Sequence, residues 1–248
     1  MKAMILAAGL GTRLLPLTTD RPKALVEIAG QTLLEITLSR LRAFGIREVI
    51  INVHHFADMI LEYLKTNDNF QMRIEVSREE VLLDTGGGVK KAAYFFLEDS
   101  NCFEKSFILH NVDVISTIDL QRLVRVHTES RALATLAVQD RDTSRYLLFD
   151  EQLQLCGRRS GHEQKTEFAR PAQQVQALAF CGIHVISPRL LAMMMEEGAF
   201  SIINSYLQVA SRGNKILAFR ADEYYWRDVG TLDNLMQAER ELKRRVLL

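Results

Sequence analysis

The sequence predicts an α/β fold, a Rossmann-like, doubly wound and mostly parallel sheet with an inserted lobe. In the first half, short β-rich apolar runs alternate with segments of helical periodicity, which is typical of a parallel sheet with helices on both faces. The loops after Ala7 and His110 directly follow predicted strands, at the edge where such sheets bind ligands. From about residue 132 the alternation loosens into further β-rich runs. We therefore expect one α/β domain over residues 1–248 that carries an inserted lobe.

Periodicity places the elements of the first half in order. Leucines between Leu33 and Leu41 recur at helical spacing, and Gly45 follows as a typical C-terminal stop. Apolar runs of strand length bound this helix on both sides. The predicted strands are 2–7, 48–53, 72–76 and 106–110, and the further predicted helices are 57–64 and 89–97.

The second half is predicted with less regular spacing. Residues 145–149 and 152–156 form a candidate hairpin, and the polar stretch 158–171 is predicted to be a mobile loop. The remaining predicted strands are 132–138, 177–186 and 215–221, and the predicted helices are 190–195, 202–210 and 232–245. The methionine run 193–195 is typical of core filling or of a contact in a homo-oligomer.

Composition excludes several classes of protein. The 31 basic and 31 acidic residues cancel, so no global field favours nucleic acid or an anionic membrane. No apolar stretch reaches the ~20 residues of a membrane helix. The cysteines are Cys102, Cys156 and Cys181, and their wide spacing argues against a disulfide framework or a zinc site. A cytoplasmic location fits these features.

The segment after the first strand predicts an anion site. It reads Ala7-Ala8-Gly9-Leu10-Gly11-Thr12-Arg13-Leu14-Leu15-Pro16-Leu17-Thr18, followed by Arg21-Pro22-Lys23. A glycine loop lets backbone N–H groups approach an anion. Arg13 and Lys23 add full positive charges. The dinucleotide fingerprint and the Walker loop do not match, because Leu14 stands in place of the third glycine and GK[ST] is missing.

Other segments carry polar residues or glycines next to predicted elements. Alone, Asp113 and Asp228 have the ordinary explanation of helix caps. The consecutive glycines of Leu83-Asp84-Thr85-Gly86-Gly87-Gly88 imply a close approach or a positive φ, with a flexible turn as the alternative. The segment Phe180-Cys181-Gly182-Ile183-His184-Val185 places one glycine inside a predicted strand.

Together these segments resemble the sugar-1-phosphate nucleotidyltransferase family. The first is similar to GxGTRLxPLT followed by PK, and Trp226-Arg227-Asp228-Val229-Gly230-Thr231 is similar to W-x-D-[VI]-G-T. The glycine run looks closest to the subgroup of N-acetylmuramate-1-phosphate uridylyltransferase and the mannose-1-phosphate guanylyltransferases. One departure is Val112, which stands before Asp113 where the family usually has glycine.

The resemblance implies roles for individual residues. The catalytic residues are Arg13, Lys23 and Asp113, and Asp113 with Asp228 would hold Mg²⁺. Lys23 and Gly182 would bind the sugar phosphate. The nucleotide would contact Ala8, Gly9, Gly11, Thr12, Arg13, Thr85, Gly86 and Gly87. Residues 1–130 would then form the nucleotide-binding part, 131–230 the sugar-phosphate-binding part, and 231–248 a terminal helix.

The expected reaction joins a nucleoside triphosphate to a sugar 1-phosphate, and UTP with N-acetylmuramate 1-phosphate is the preferred pair. Three alternatives stay open at this point. They are a GTP-dependent mannose- or heptose-1-phosphate guanylyltransferase, a cytidylyltransferase for a non-sugar phosphate, and a catalytically silent regulatory homologue. Neither nucleic acid nor a membrane is an expected partner, and self-association into a homo-oligomer stays open.

Overall fold

The computed structural model describes residues 1–98, 105–161 and 165–243. Cys102, residues 162–164 of the predicted loop and residues 244–248 of the predicted terminal helix lie outside the described residues. The strands are β1 (Lys2–Leu6), β2 (Glu27–Ile28), β3 (Gln31–Thr32), β4 (Glu48–Val53), β5 (Arg73–Arg78), β6 (Phe107–Asn111), β7 (Val114–Ser116), β8 (Ala134–Gln139), β9 (Arg145–Phe149), β10 (Leu155–Ser160), β11 (Lys165–Phe168), β12 (Gln176–Ile186), β13 (Ile216–Arg220) and β14 (Trp226–Asp228). The helices are α1 (Leu33–Ala43), α2 (Ala57–Thr66), α3 (Asp84–Lys91), α4 (Ala93–Leu97), α5 (Leu120–Ser130), α6 (Ile202–Ser211) and α7 (Leu232–Lys243).

The centre of the sheet is parallel, in the order β6-β1-β4-β5. β1 and β4 read as mostly apolar runs because both of their faces are buried, whereas β5 at the edge mixes charged and apolar residues. Along β1, Ala3 and Ile5 pack into one hydrophobic cluster, and Met4 packs into the cluster on the other face. The predicted α/β fold class is confirmed, and the carboxyl ends of these strands meet at one edge.

The second half of the chain extends the same sheet with mostly antiparallel strands. β12 pairs with β6, β8 and β9, and the order continues outward through β10 to β11. β13 adds to β8 in parallel. Since β6 and β12 are neighbours, strands from both predicted parts share one sheet. The division of the chain at residues 130 and 230 stays a prediction.

Three local expectations are wrong. The stretch 158–171 is not wholly a loop, because its described residues include the end of β10 and the paired strand β11. The glycine run is not a turn before a helix at Val89, because it forms the body of α3, which ends at Lys91. The stretch 190–195 is a 3-10 helix over Pro188–Met193 instead of an α-helix.

A separate two-stranded ribbon joins distant parts of the chain. β14 pairs with β7 in antiparallel register, so that Asp228 lies opposite Val114. The Val229 N–H also donates to the Asp113 carbonyl at 2.8 Å. This ribbon brings the C-terminal aspartate to the loop that follows β6.

No helix in the described ranges is both long and apolar enough to span a membrane.

Candidate functional site

The loop after β1 folds back on itself, so that Gly11 is enclosed and Gly9 is exposed. Gly11 has a φ of 68°, and its carbonyl accepts a hydrogen bond from Thr18 Oγ1 at 2.9 Å. A Cβ on Gly11 would lie 3.0 Å from Thr18 Cγ2 and 3.1 Å from Lys23 Cβ, so a side chain there would be crowded. Gly9, in contrast, has no atom within 4 Å of such a position. The backbone at Gly9 therefore faces open space.

A cavity of about 380 Å³ lies over this loop. It has mixed polar and apolar walls at the carboxyl ends of the parallel strands, the position expected for a ligand in this fold. Five predicted site residues line it, namely Ala8, Gly9, Lys23, Thr85 and Asp113. Thr85 also fixes the neighbouring helix, since its hydroxyl accepts the Ile202 N–H at 2.9 Å. The structure therefore brings these residues together at one cavity.

A buried polar network supports the floor of this cavity. Asn52 Oδ1 accepts the Ala7 N–H at 2.8 Å, and Asn52 Nδ2 donates to Glu79 Oε1 at 2.7 Å. Glu79 Oε2 in turn accepts the Leu83 N–H at 2.9 Å. The sequence interpretation missed Asn52 and Glu79, although an asparagine inside the apolar run of β4 is a usable signal. The network ties the loop after β1 to the segment that leads into α3.

Charged side chains converge where this cavity meets the β7–β14 ribbon. Lys23, nearly buried, forms an ion pair with Asp113. A Cβ on Gly230 would lie 2.6 Å from Asp228 Oδ1, 2.9 Å from Arg13 Nη2 and 3.0 Å from Lys23 Nζ. All four predicted charged residues therefore meet around Gly230, which is close to them because it lacks a side chain.

The loop that carries Asp113 is braced from behind by Arg40 of α1. Arg40 Nη1 donates to Ser116 Oγ at 2.6 Å, and Nη2 donates to the Ile118 carbonyl at 2.5 Å. Burial lowers the pKa of Arg40 to about 10, so the guanidinium stays charged at neutral pH. His110 Nε2 lies 3.3 Å from Arg40 Nη1. Burial, and to a smaller extent the positive charge of Arg40, lowers the pKa of His110 to about 3. Sequence analysis missed Arg40, which has no local motif.

Val112 fits its position without strain. Its side chain is buried in the core, and its N–H donates to the Leu6 carbonyl at 3.1 Å. Its backbone is outside the left-handed region that favours glycine. The departure from the family pattern therefore leaves the turn before Asp113 intact.

Gly86 and Gly87 have a packing explanation. A Cβ on Gly86 would lie 2.3 Å from Phe200 Cε2, and one on Gly87 would lie 2.4 Å from the Gly198 carbonyl oxygen. Neither glycine lines the cavity over Gly9 or the larger cavity described below. Their predicted contact with a nucleotide stays a prediction, as does that of Gly11 and Thr12.

A second cavity of about 620 Å³ adjoins the charged centre. Arg13 and Asp228 line it, and so does Gly182, which has a φ of 70° at an irregularity in β12. A Cβ on Gly182 would lie 2.8 Å from Asn111 Nδ2, so that this position requires glycine. Asn111 lines both cavities and was not singled out from the sequence. The two cavities therefore meet at Asn111 and the charged centre, as sites for two reacting molecules would.

The residues at this junction fit a magnesium ion. The Lys23 ammonium group stands beside Asp113 and near Asp228, which indicates that the position attracts a cation. Within the described ranges, no group of three or more His, Cys, Asp or Glu side chains forms a metal cage. Magnesium needs only one or two carboxylates when phosphate oxygens and water complete its shell.

Known proteins resemble this chain over nearly its whole length. The family model described as "Nucleotidyl transferase" matches residues 2–245. The chain belongs to the nucleotidyl transferase family. The N-acetylmuramate alpha-1-phosphate uridylyltransferase of Caulobacter vibrioides is 32% identical, over 97% of this chain and 96% of that protein. A mannose-1-phosphate guanyltransferase of Yarrowia lipolytica is 28% identical, over 93% of this chain but only 61% of that protein. The resemblance inferred from the motifs is therefore confirmed.

Solved structures share the fold of this chain over nearly its whole length. A putative glucose-1-phosphate thymidylyltransferase from Bacillus anthracis, in complex with a sucrose, has a TM-score of 0.80 at 16% identity. The alignment covers 97% of this chain and 94% of that one. HddC from Yersinia pseudotuberculosis, complexed with GMP-PN, has a TM-score of 0.75 at 21% identity, over 97% of this chain and 99% of that one. At these identities the likeness establishes the fold.

Proposed function

We propose that this nucleotidyl transferase condenses a nucleoside triphosphate with a sugar 1-phosphate and releases pyrophosphate. The observation that carries the proposal is the convergence of Arg13, Lys23, Asp113 and Asp228 around Gly230, where two cavities meet. The nucleotide occupies the cavity over Gly9, and the sugar phosphate occupies the larger cavity beside Gly182. This assignment puts both phosphate groups next to the cationic side chains.

In the proposed reaction, a phosphate oxygen of the sugar attacks the α-phosphorus of the nucleotide. A new P–O bond forms as the bond from the α-phosphorus to the bridging oxygen breaks, and pyrophosphate leaves with that oxygen. Lys23 holds the attacking phosphate beside the α-phosphate and reduces the repulsion between the two anions. Arg13 binds the β- and γ-phosphates. Such a reaction depends on positioning and charge neutralisation more than on covalent catalysis.

Asp113 and Asp228 are the proposed ligands of Mg²⁺. The ion would supply positive charge against the triphosphate and the departing pyrophosphate. For the carboxylates to reach it, the Lys23 ammonium group must leave Asp113 and turn toward the phosphates. The ion pair between Lys23 and Asp113 therefore neutralises the site before substrates bind.

We propose UTP and N-acetylmuramate 1-phosphate as the substrates, on the strength of the Caulobacter relative that aligns over nearly its whole length. A GTP-dependent guanylyltransferase is the second candidate, supported by the mannose-1-phosphate relatives. The retained charged residues and the unstrained Val112 argue against a silent homologue. A reducing, cytoplasmic location fits the buried thiol of Cys181, whose pKa burial raises to about 12.

A pyrophosphate-release assay tests the proposal. The purified protein is offered UTP, GTP, CTP or dTTP with a panel of sugar 1-phosphates in the presence of Mg²⁺. We expect turnover with at least one pair, and Lys23→Ala should lower it by roughly 100-fold or more, as expected for loss of one preorganised cation. Lys65→Ala, on the exposed end of α2, is the matched control. Absence of turnover with every pair, in a folded protein, would overturn the proposed function.

A further inference from the structure

The larger cavity carries more positive charge than one phosphate group needs. Its lining includes a single acidic residue, Asp228, among the described residues. In the proposed function that carboxylate is a magnesium ligand, and the sugar phosphate is held mainly by Lys23. The arginines of the lining are Arg13, Arg141, Arg145, Arg158 and Arg159.

One of these arginines is neutralised by the protein itself. Arg158 Nη2 lies 2.7 Å from Glu167 Oε2, and Arg158 Nη1 donates to Asn204 Oδ1 at 2.8 Å. Within residues 1–98, 105–161 and 165–243, no carboxylate lies at ion-pair distance from Arg141 or Arg159. Arg13, assigned above to the nucleotide, and Arg145, which is exposed, have no such partner within these ranges either. Arg141 and Arg159 are thus two of four guanidinium groups in the lining that lack an acidic partner in this part of the chain.

Two contacts hold Arg141 in place, but one of its N–H donors has no hydrogen-bond partner among the described residues. Its guanidinium carbon lies 3.8 Å from the centre of the Trp226 ring, and its Nη2 donates to the Phe180 carbonyl at 2.9 Å. Its Nε atom is buried without a hydrogen-bond partner. Burial lowers the pKa of Arg141. The contacts with Trp226 and Phe180 hold the guanidinium group rigidly at the cavity wall, and no carboxylate of the described residues neutralises it, so it is suited to an anionic ligand.

Arg159 lies on the same wall. In the β9–β10 ladder it is directly opposite Tyr146, so both side chains project from one face. Its Nε donates to Thr166 Oγ1 at 3.3 Å, a long contact with a neutral group. Tyr146 and Phe180 give the same cavity an aromatic surface on which a sugar ring can pack. The cavity therefore combines a surface for a ring with two cations for an acid.

We propose that the sugar 1-phosphate substrate carries a second anionic group, a carboxylate, which Arg141 and Arg159 bind. A planar carboxylate accepts two parallel hydrogen bonds from a guanidinium fork and supplies the missing counter-charge. The inference rests on the proposed function and deepens it, because it assigns recognition of an acid group on the sugar to two residues of the larger cavity. It also favours the uridylyltransferase candidate, whose sugar bears a carboxylate, over a guanylyltransferase for neutral mannose.

The test compares pairs of sugar 1-phosphates in which one member carries a carboxylate and the other does not. N-acetylmuramate 1-phosphate is paired with N-acetylglucosamine 1-phosphate, and glucuronate 1-phosphate is paired with glucose 1-phosphate. Glucose 1,6-bisphosphate probes a second phosphate instead of a carboxylate. With the preferred nucleotide, we expect kcat/KM for at least one acid sugar to exceed that of its neutral partner by roughly 100-fold, the scale of hydrogen bonds to charged groups.

Substitutions at Arg159 distinguish a loss of carboxylate recognition from a general loss of activity. Arg159→Gln should reduce the acid-to-neutral ratio of kcat/KM by roughly tenfold or more, with the neutral sugar unchanged within about twofold. Arg159→Lys keeps the charge without the fork and should give an intermediate loss. Arg125→Gln, on the exposed face of α5, is the matched control and should leave the ratio unchanged.

Each outcome decides the inference. Equal efficiency with acid and neutral sugars, or a ratio insensitive to Arg159, overturns it while the proposed function stands. Preference for the bisphosphate over both acid sugars also overturns it, since the second anion would then be a phosphate. Absence of turnover with every sugar 1-phosphate overturns the proposed function, and the inference with it.

Discussion

Replacing single glycines would separate the part of the site that contacts ligand from the part that packs. Gly9 and Gly86 are both glycines that the motifs assign to the nucleotide, but their surroundings differ. A Cβ on Gly9 meets nothing within 4 Å, whereas one on Gly86 would lie 2.3 Å from Phe200 Cε2 and 2.9 Å from the Phe200 carbonyl oxygen. We therefore compare Gly9→Val with Gly86→Ala.

The magnitude for Gly86→Ala follows from opposing effects. Alanine favours a helix by about 1 kcal/mol over glycine. Carbon atoms need about 3.5 Å between them, so α3 must move from Phe200 by more than an ångström, and overpacking of this kind costs about 1–3 kcal/mol. The movement also weakens the 2.8 Å bond from the Gly86 N–H to the Phe200 carbonyl, which adds about 1 kcal/mol. The net loss of about 1–3 kcal/mol should lower Tm by roughly 2–12 °C.

Gly9→Val should behave in the opposite way. With open space around the new side chain, Tm should change by less than about 2 °C, as for other exposed positions. The KM for the nucleoside triphosphate should rise roughly tenfold or more, because the side chain would stand where phosphate oxygens approach the backbone. Thermal unfolding measures Tm, and steady-state kinetics measures the KM for the nucleoside triphosphate, in both variants. Equal losses of Tm with an unchanged KM in Gly9→Val would refute this reasoning.

Three further outcomes are expected. Asp113→Asn and Asp228→Asn should each abolish Mg²⁺-dependent turnover, and the double variant should lose little more; strictly additive losses, or full activity in EDTA, would contradict a shared ion. Arg40→Met should raise the Mg²⁺ concentration for half-maximal rate roughly tenfold or more, because it releases the loop of Asp113; a normal Mg²⁺ titration would contradict this positioning role. Burial lowers the pKa of His184 to about 3 from 6.5. Since only the unfolded chain then takes up this proton, His184 should contribute roughly 2 kcal/mol to the fall in the free energy of unfolding between pH 7 and 5. His110 and His127, whose pKa values are lowered to about 3 and about 4, add to the same fall, so His184→Asn should make the slope in denaturant titrations smaller without removing it.

The sequence carries strong local signals for the first half of the fold and for the loop after β1. An apolar run followed by glycines identifies β1 and its loop, because a strand buried on both faces reads as a short continuous apolar run, too short for a helix, that ends at a turn signal. The pairing of Asp113 with Asp228 was available only through the family resemblance. Nothing near either residue specifies that β7 and β14 form a ribbon.

The wrong expectations have physical causes. The described residues of β11 are all exposed at the edge of the sheet, and polar side chains on an edge strand look like a loop in composition. The glycine run looks like a turn because glycine disfavours helices, yet here close packing against Phe200 and Gly198 overrides that preference. Asn52 shows in the sequence only as one polar residue inside the apolar run of β4, and its partner Glu79 shows no pattern, because a hydrogen bond between residues 27 positions apart leaves no periodicity.

The β7–β14 ribbon also sets when a nascent chain becomes competent. Asp113 leaves the ribosome about 115 residues before Asp228 does, and at roughly 5–20 residues per second that interval is of the order of ten seconds. During this time β1, β4, β5 and β6 have all been made, because all of them precede β7. The incomplete chain holds only one of the paired carboxylates. Translation of β14 is the step after which both carboxylates can meet.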